Sequence, residues 1–228
     1  MEKFFLSYDD PNLVENLSRA RLFMPDIIQV NTKQSIAASH QTCGKQSLTS
    51  QFMVVDADTY LLDNFNLVEI YNVCKDPNWV YIFSAVNPVN DLEYGHGGIK
   101  IFQRKFFENT DVVDFSTSFL GKIRTVKNTL NIHRFNTDPF HAWRTAFREC
   151  VKLSSSTIVN GNSIDNEYRL TTWCEKFNNV ENAEYVKIGA IQGRDYGNSN
   201  KKHPEEIQKI NDFTWLKKSY EQVVQRQT

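Results

Sequence analysis

The chain has 228 residues, enough for one large domain or a domain with a helical appendage, and its 40% hydrophobic and 13% aromatic content excludes a disordered chain. A formal net charge of -1 excludes a strong overall pull toward nucleic acid or anionic membrane, while local basic strips remain open. Cys43, Cys74, Cys150 and Cys174 lack Cys-x-x-Cys spacing, which argues against zinc. With no export-like start and no membrane-length apolar run, the expectation is a soluble cytoplasmic protein with free thiols.

Taken in order, Lys3 to Tyr8 reads as a strand halted by Asp9-Asp10-Pro11, and a helix then carries Leu13, Leu17 and Ala20 to Met24-Pro25. Asp26 to Val30 is a short strand, a second helix runs from Ile36 to about Leu48, and Gln51 to Asp56 is a third strand. This β-α-β-α-β order implies parallel strands. Leu61 to Tyr71 reads as loop with a helical turn, Val80 to Val86 as a strand, and Gly95-His96-Gly97-Gly98 breaks the chain before a strand from Ile99 to Phe102. Those glycines suit either a tight turn or close approach to a ligand. Asp111 to Phe115 and a stretch near Ile123 to Val126 read as further strands. Phe140 to Leu153 is the strongest helix, with Phe140, Trp143, Phe147 and Val151 on one core-facing side and Asp138-Pro139 as N-cap and first residue. Beyond Ser163 the pattern is helical over Asn166 to Phe177 and Pro204 to Val224, with Gly189, Gly193 and Gly197 between them suggesting a mobile closing loop. The whole predicts an α/β fold: a Rossmann-like, mostly parallel central sheet and a helical C-terminal region in one domain over 1–228.

Asp56 and Asp58 end the apolar run Phe52-Met53-Val54-Val55. A Val-rich run without polar alternation suits a strand covered on both faces, and ligands gather beyond the carboxyl ends of such strands. Period-two alternation predicts that both carboxylates point the same way and grip one ion. Hard divalent cations take one or two carboxylates plus the phosphates of a substrate, so a nucleoside diphosphate is the natural third party. The same residues also suit a cap or turn. An aspartyl-nucleophile hydrolase is a further possibility, but its motif lies near the chain start, whereas strand-like segments precede this one.

The run Phe52 to Thr59, preceded by Cys43-Gly44-Lys45, resembles the GT-A class of nucleotide-sugar glycosyltransferases, whose shared mark is Asp-x-Asp at a strand end. Tyr94 to Phe102, Phe135 to Glu149 with its Trp143-Arg144 and Phe147-Arg148 pairs, and Ile210 to Leu216 are more narrowly similar to small glycosyltransferases found largely in bacteriophages. The resemblance implies a metal-dependent transferase using Mn²⁺ or Mg²⁺ and a UDP-sugar donor. It divides the chain into a nucleotide-binding half (1–60), an acceptor and donor-sugar half (61–160) and a helical region (161–228).

By resemblance, Asp58 binds the metal most directly and Asp56 also reaches ribose or sugar. Ser7, Tyr8 and Asp9 face the base and ribose, with Val30 and Asn31 nearby, and Gly97 and Gly98 form the wall beside the donor sugar. Lys45 is either a phosphate contact or a solvated helix lysine. Asp114 is either a base or sugar ligand or an ordinary strand-end carboxylate. A third metal ligand is sought among His133, His141 and His203, with His133 favoured. Arg144 and Arg148 either bind phosphate bidentately or pair with Glu149 or Asp165 on the helix. Arg194, in the expected loop, would engage the diphosphate after closure. The implied acceptor is a 5-hydroxymethylpyrimidine in phage DNA, reached through the major groove or by base extrusion. Lys201-Lys202-His203, Lys217-Lys218, Arg104-Lys105 and Lys122/Arg124/Lys127 are candidate backbone-contacting strips. A saccharide or protein acceptor, or a non-catalytic nucleotide-sugar-binding module, are the other readings.

Overall fold

A computed structural model describes residues 1–7, 9–31, 36–108, 119, 122–156 and 163–225. Its residues fall into two compact units, one of 1–87 with 93–134 and one of 88–92 with 135–228.

The first unit holds one seven-stranded sheet, in the order β2-β1-β3-β6-β5-β7-β4. The strands are β1 (Glu2–Ser7), β2 (Ile28–Asn31), β3 (Gln51–Asp56), β4 (Thr59–Leu61), β5 (Val80–Val86), β6 (Glu93–Gln103) and β7 (Ile123–His133). β1 lies parallel to β2 and β3, and β5 parallel to β7, while β6 and β4 run against their neighbours. Five of the seven strands therefore share one direction, as expected of a mostly parallel α/β sheet. Helices α1 (Leu13–Phe23) and α2 (Ile36–Gln46) connect the first three strands, and α3 (Leu67–Val73) follows β4.

Both faces of the sheet are covered, which explains the unbroken apolar runs. Phe5, Met53 and Val55 join the cluster containing Leu17 and Ala20 of α1, whereas Phe4, Leu6, Phe52 and Val54 join the one containing Cys43 of α2. β6 and β7 are longer than their sequence signals. The glycines at the start of β6 read as a break, yet Glu93 to Val86 and Tyr94 to Ala85 are paired. The stretch 111–115, expected as a strand and containing Asp114, lies outside the described residues, as does Tyr8.

Two bulges bend this sheet. Between Ile82↔Lys100 and Ser84↔Gly95, two steps along β5 match five along β6. Between Phe83↔Val126 and Ala85↔Asn131, two steps along β5 match five along β7. Extra residues on one strand of a pair increase local twist and bend. A covalent constraint shows how far the bending goes. Four inter-strand steps separate β3 from β4 in the sheet order, about 19 Å if the sheet were flat. Asp56 and Thr59 are only three peptide units apart, a span of at most about 11 Å. The sheet must curl until the end of β7, which carries β4, returns to the carboxyl end of β3.

The second unit is helical: α4 (Pro139–Ser154), α5 (Ser163–Glu175), α6 (Ala183–Ser199), α7 (Pro204–Gln208) and α8 (Phe213–Gln225). Asp138 caps α4 as expected, its carboxylate accepting from the His141 amide at 3.0 Å, with Pro139 in the first turn. Trp143, Phe147 and Val151 are buried against Ile207, Ile210, Leu216 and Tyr220. The expected closing loop is a helix instead. Gly189, Gly193 and Gly197 lie inside α6, one turn apart, and a Cβ on Gly193 would come within 2.9 Å of the Phe147 Cα. Glycine is used there to let two helix backbones touch.

Candidate active site

The curled sheet gathers one polar cluster at the carboxyl end of β3. Asp56 is the last residue of β3, and Asp58 sits in the two-residue connection to β4 rather than on a strand. The two carboxylates therefore converge through a turn, not through strand alternation. The Asp58 carbonyl accepts from the Arg134 amide at 2.7 Å, which ties the turn to the end of β7. β4 pairs with β7 so that Thr59 faces His133 and Leu61 faces Asn131.

His133 is buried at 2% exposure and lies 3.1 Å from Asp58 Oδ2 through Nε2, and 3.0 Å from the Tyr94 hydroxyl through Nδ1. An ionised carboxylate only accepts, so Nε2 carries the proton toward Asp58. The His96 ring stacks on His133 with centroids 3.5 Å apart and an interplanar angle of 27°. On the other side of the pair, the Lys100 ammonium donates to Asp56 Oδ2 at 2.6 Å. Lys100 faces Val54 across the β3–β6 ladder, so its side chain lies on the same face as Asp56 and reaches it diagonally.

Electrostatics separate the two carboxyls. Burial pushes Asp56 up to about 6, the Lys100 ammonium opposes that rise, and the Asp58 charge adds to it. Burial also works against an ionised Asp58, but the charge and hydrogen bond of His133 outweigh it, with help from His96 and Lys100. The carboxyl is held below the usual carboxylate range.

Asp56 Oδ1 and Asp58 Oδ1 are both buried and have no hydrogen-bond partner, as do Thr59 Oγ1 and Asn131 Oδ1. Buried anionic oxygens without donors are costly, and a divalent cation shared by the two Oδ1 atoms would satisfy them. The donor set fits a hard cation that completes its shell with phosphate oxygens and water. Among the described residues no three His, Cys, Asp or Glu side chains are placed to enclose a metal. His133, expected as a third ligand, has its two ring nitrogens at Asp58 and Tyr94 in this structure, where it orients the Asp58 carboxylate.

Gly97 and Gly98 enter the same corner, because the register Val55↔Ile99 carries β6 past the end of β3. Gly97 has φ +79°, a left-handed conformation that favours glycine, and a Cβ on Gly98 would lie 2.5 Å from Thr59 Oγ1 and 3.0 Å from His96 Nδ1. Ser7 and Asn31 are neighbours at the carboxyl ends of β1 and β2, with Leu6 beside Asp56, so these strand ends form one edge. Ser7 is buried, its hydroxyl accepting from Gln29 Nε2 at 3.3 Å, and Asp9 follows with φ +41°.

The structure gives several other expected positions different surroundings. The Val30 side chain packs in the cluster of Phe4, Leu6 and Val54 and is core. Lys45 is exposed in the last turn of α2, and Ser47 just beyond donates to Glu2 at the start of β1. Lys45 therefore stands at the edge of the sheet opposite to Asp56, because a helix between parallel strands runs back to the amino ends. Arg148 donates to the Ile210 carbonyl at 2.8 Å and to Asn211, joining α4 to the segment Lys209–Asn211. The Arg144 guanidinium lies over the rings of Phe140 and Phe213 at 5.6 and 5.1 Å. Glu149 pairs with Arg169 rather than with either of them. Arg194 is helical and donates to Asp195 at 3.0 Å. His141 is paired with its own capping Asp138, and His203 is exposed beside Glu205.

Lys100, His96 and Tyr94 were not singled out as site residues from the sequence. A lysine inside the apolar run Ile99-Lys100-Ile101-Phe102 is the signal for the first, since a buried ammonium requires a partner.

No family model matches the sequence, and no curated protein matches it. Solved structures that are similar in part include a mannosyltransferase from Pyrobaculum calidifontis in complex with GDP-Man and Mn²⁺, at 12% identity over 84% of this chain and 73% of that one, TM-score 0.48. A glycosyltransferase involved in the glycosylation of the major capsid of PBCV-1 matches at 11% identity over 60% of this chain and 93% of that one, TM-score 0.38. HddC from Yersinia pseudotuberculosis matches at 16% identity over 54% of this chain and 68% of that one, TM-score 0.37. At these values the likeness is one of partial backbone arrangement.

Proposed function

We propose that the chain is a metal-dependent glycosyltransferase that moves a sugar from a nucleotide-sugar donor to a hydroxyl. The observation that carries this reading is the pair of buried, partnerless oxygens, Asp56 Oδ1 and Asp58 Oδ1, at the carboxyl edge of β1, β2 and β3. Asp56 and Asp58 would hold a Mn²⁺ or Mg²⁺ ion. When bound, such an ion supplies Lewis-acid neutralisation of the diphosphate leaving group.

The protein's own part is positioning. His133, held by Tyr94, fixes the rotamer of Asp58, and Lys100 fixes that of Asp56. Gly97 takes the left-handed backbone turn beside the carboxylates, and Gly98 leaves room for Thr59 and His96 to pack there. Ser7, Asp9 and Asn31 occupy the strand ends where a base and ribose would rest, and UDP is the donor nucleotide the sequence resemblance favours. The same resemblance favours a 5-hydroxymethylpyrimidine in DNA as acceptor.

The test is to incubate the protein with Mn²⁺, a panel of nucleotide sugars and either plain or 5-hydroxymethylated DNA, following nucleoside mass. A sugar-mass increase only on the hydroxymethylated base is the expected result. Transfer to a glycan or protein and to no DNA overturns the acceptor assignment. Asp58→Ala should lower metal-dependent transfer by at least about 100-fold, the scale at which loss of one electrostatic stabiliser is felt. Full activity in that variant overturns the site.

A further inference from the structure

Lys100 is a basic side chain of the cluster that the transfer reaction does not call on directly. Its side chain is 5% exposed, its ammonium donates to Asp56 Oδ2 at 2.6 Å, and among the described residues it has no other ion pair. The groups packed around it on α2 do not compete for it. His40 is held neutral by burial and by the Lys100 charge itself, and burial pushes the Cys43 thiol up to about 12. Asp56 is thus the counter-ion of Lys100 before any other cation arrives.

Two consequences follow from charge and geometry. One oxygen of Asp56 already accepts from Lys100, and Oδ1 is the oxygen without a partner. The ammonium also cancels one of the two negative charges that the acidic pair alone would present to a cation. An approaching dication is repelled by the ammonium and attracted by the carboxylates in a site of low local dielectric. A nucleoside diphosphate that arrives with the ion brings negative charge and tips the balance.

We infer that Lys100 makes metal binding conditional on nucleotide: Asp56 and Asp58 hold a free divalent ion weakly and hold its diphosphate complex tightly. This rests on the metal-and-donor reading of the site. Lys100 is a positioning residue in this scheme, acting through Asp56. Because coupling between two ligands is reciprocal, the metal and the nucleotide each raise the other's affinity by one common factor, and Lys100 sets its size.

The experiment is a Mn²⁺ titration of the full chain followed by electron paramagnetic resonance, with and without UDP, on wild type, Lys100→Met and Lys100→Arg. In the absence of UDP, Lys100→Met should bind Mn²⁺ at least about tenfold tighter than wild type, the direction that removing a nearby like charge dictates. The enhancement by UDP should shrink by the same factor, and Lys100→Arg should stay near wild type. A purely structural lysine gives the opposite sign, because damage to the site loosens metal binding. Unchanged or weaker Mn²⁺ binding in folded Lys100→Met overturns the inference while leaving the site intact. Wild type that binds no Mn²⁺ with or without UDP overturns the underlying reading and the inference with it. If Lys100→Met does not fold, Lys100→Gln keeps a donor to Asp56 without the charge and carries the same expectation.

Discussion

At the scale of single residues, the two aspartates differ more than their adjacency suggests. Asp56 is raised to about 6 by burial, so its ionisation opposes folding. Its contribution is present below the ordinary carboxylate value near 4 and is lost as pH rises through 6. Asp58 is depressed, chiefly because His133 outweighs burial, so its contribution is present above the ordinary value and is lost on acidification. In metal-free protein, Asp58→Asn should therefore be less stable than wild type at pH 6 to 7. The gap should close as pH falls below about 4, and urea midpoints across that range would check it. A gap that persists unchanged at pH 3 would mean that the His133 contact does not stabilise the carboxylate. The Asp-x-Asp pair was legible in the sequence because a strand end and two carboxylates are local features. The roles of His133 and Tyr94 were not, since they depend on which distant strand meets the turn.

Secondary-structure elements give a different lesson. Gly189, Gly193 and Gly197 read as a loop because glycine lowers helix propensity, by about 1 kcal/mol per residue relative to alanine. Their spacing of four was the contrary signal, since it places all three on one helix face, and α6 turns that face to α4. Two effects then compete in Gly193→Ala. Helix propensity favours alanine by about 1 kcal/mol, while overpacking against the Phe147 backbone costs about 1–3 kcal/mol or more in a contact that two main chains cannot relax. Packing should win, and thermal unfolding of Gly193→Ala should show a lower Tm than wild type. A rise in Tm would show that the helices separate easily. The first strands and α4 were legible because period and capping agreed there, as at Asp138-Pro139. The short β4 was not, for three residues carry no period of their own.

Across the whole molecule, the cysteines offer a readout of each unit separately. All four are free and buried. In the first unit burial pushes the thiols of Cys43 and Cys74 up to about 12, so both remain protonated and unreactive at pH 8. In the second unit Cys174 is lowered by its hydrogen bond from Cys150, which itself is raised by burial. Limited alkylation of native protein at pH 8, mapped by mass spectrometry, should therefore label Cys174 before Cys43 or Cys74. Equal early labelling of Cys43 would show that the first unit opens readily. The curl of the sheet has a consequence in time as well as in space. Asp58 emerges from synthesis 75 residues ahead of the His133 that faces it, and Asp56 earlier still. A nascent chain that ends before β7 carries the complete Asp-x-Asp sequence without the His133 that orients Asp58, because among the described residues β4 pairs with β7 alone. Pairing of such sequence-distant strands is slow relative to local helix formation. Under the proposed metal role, the site is thus completed late in maturation, only once the curl has closed.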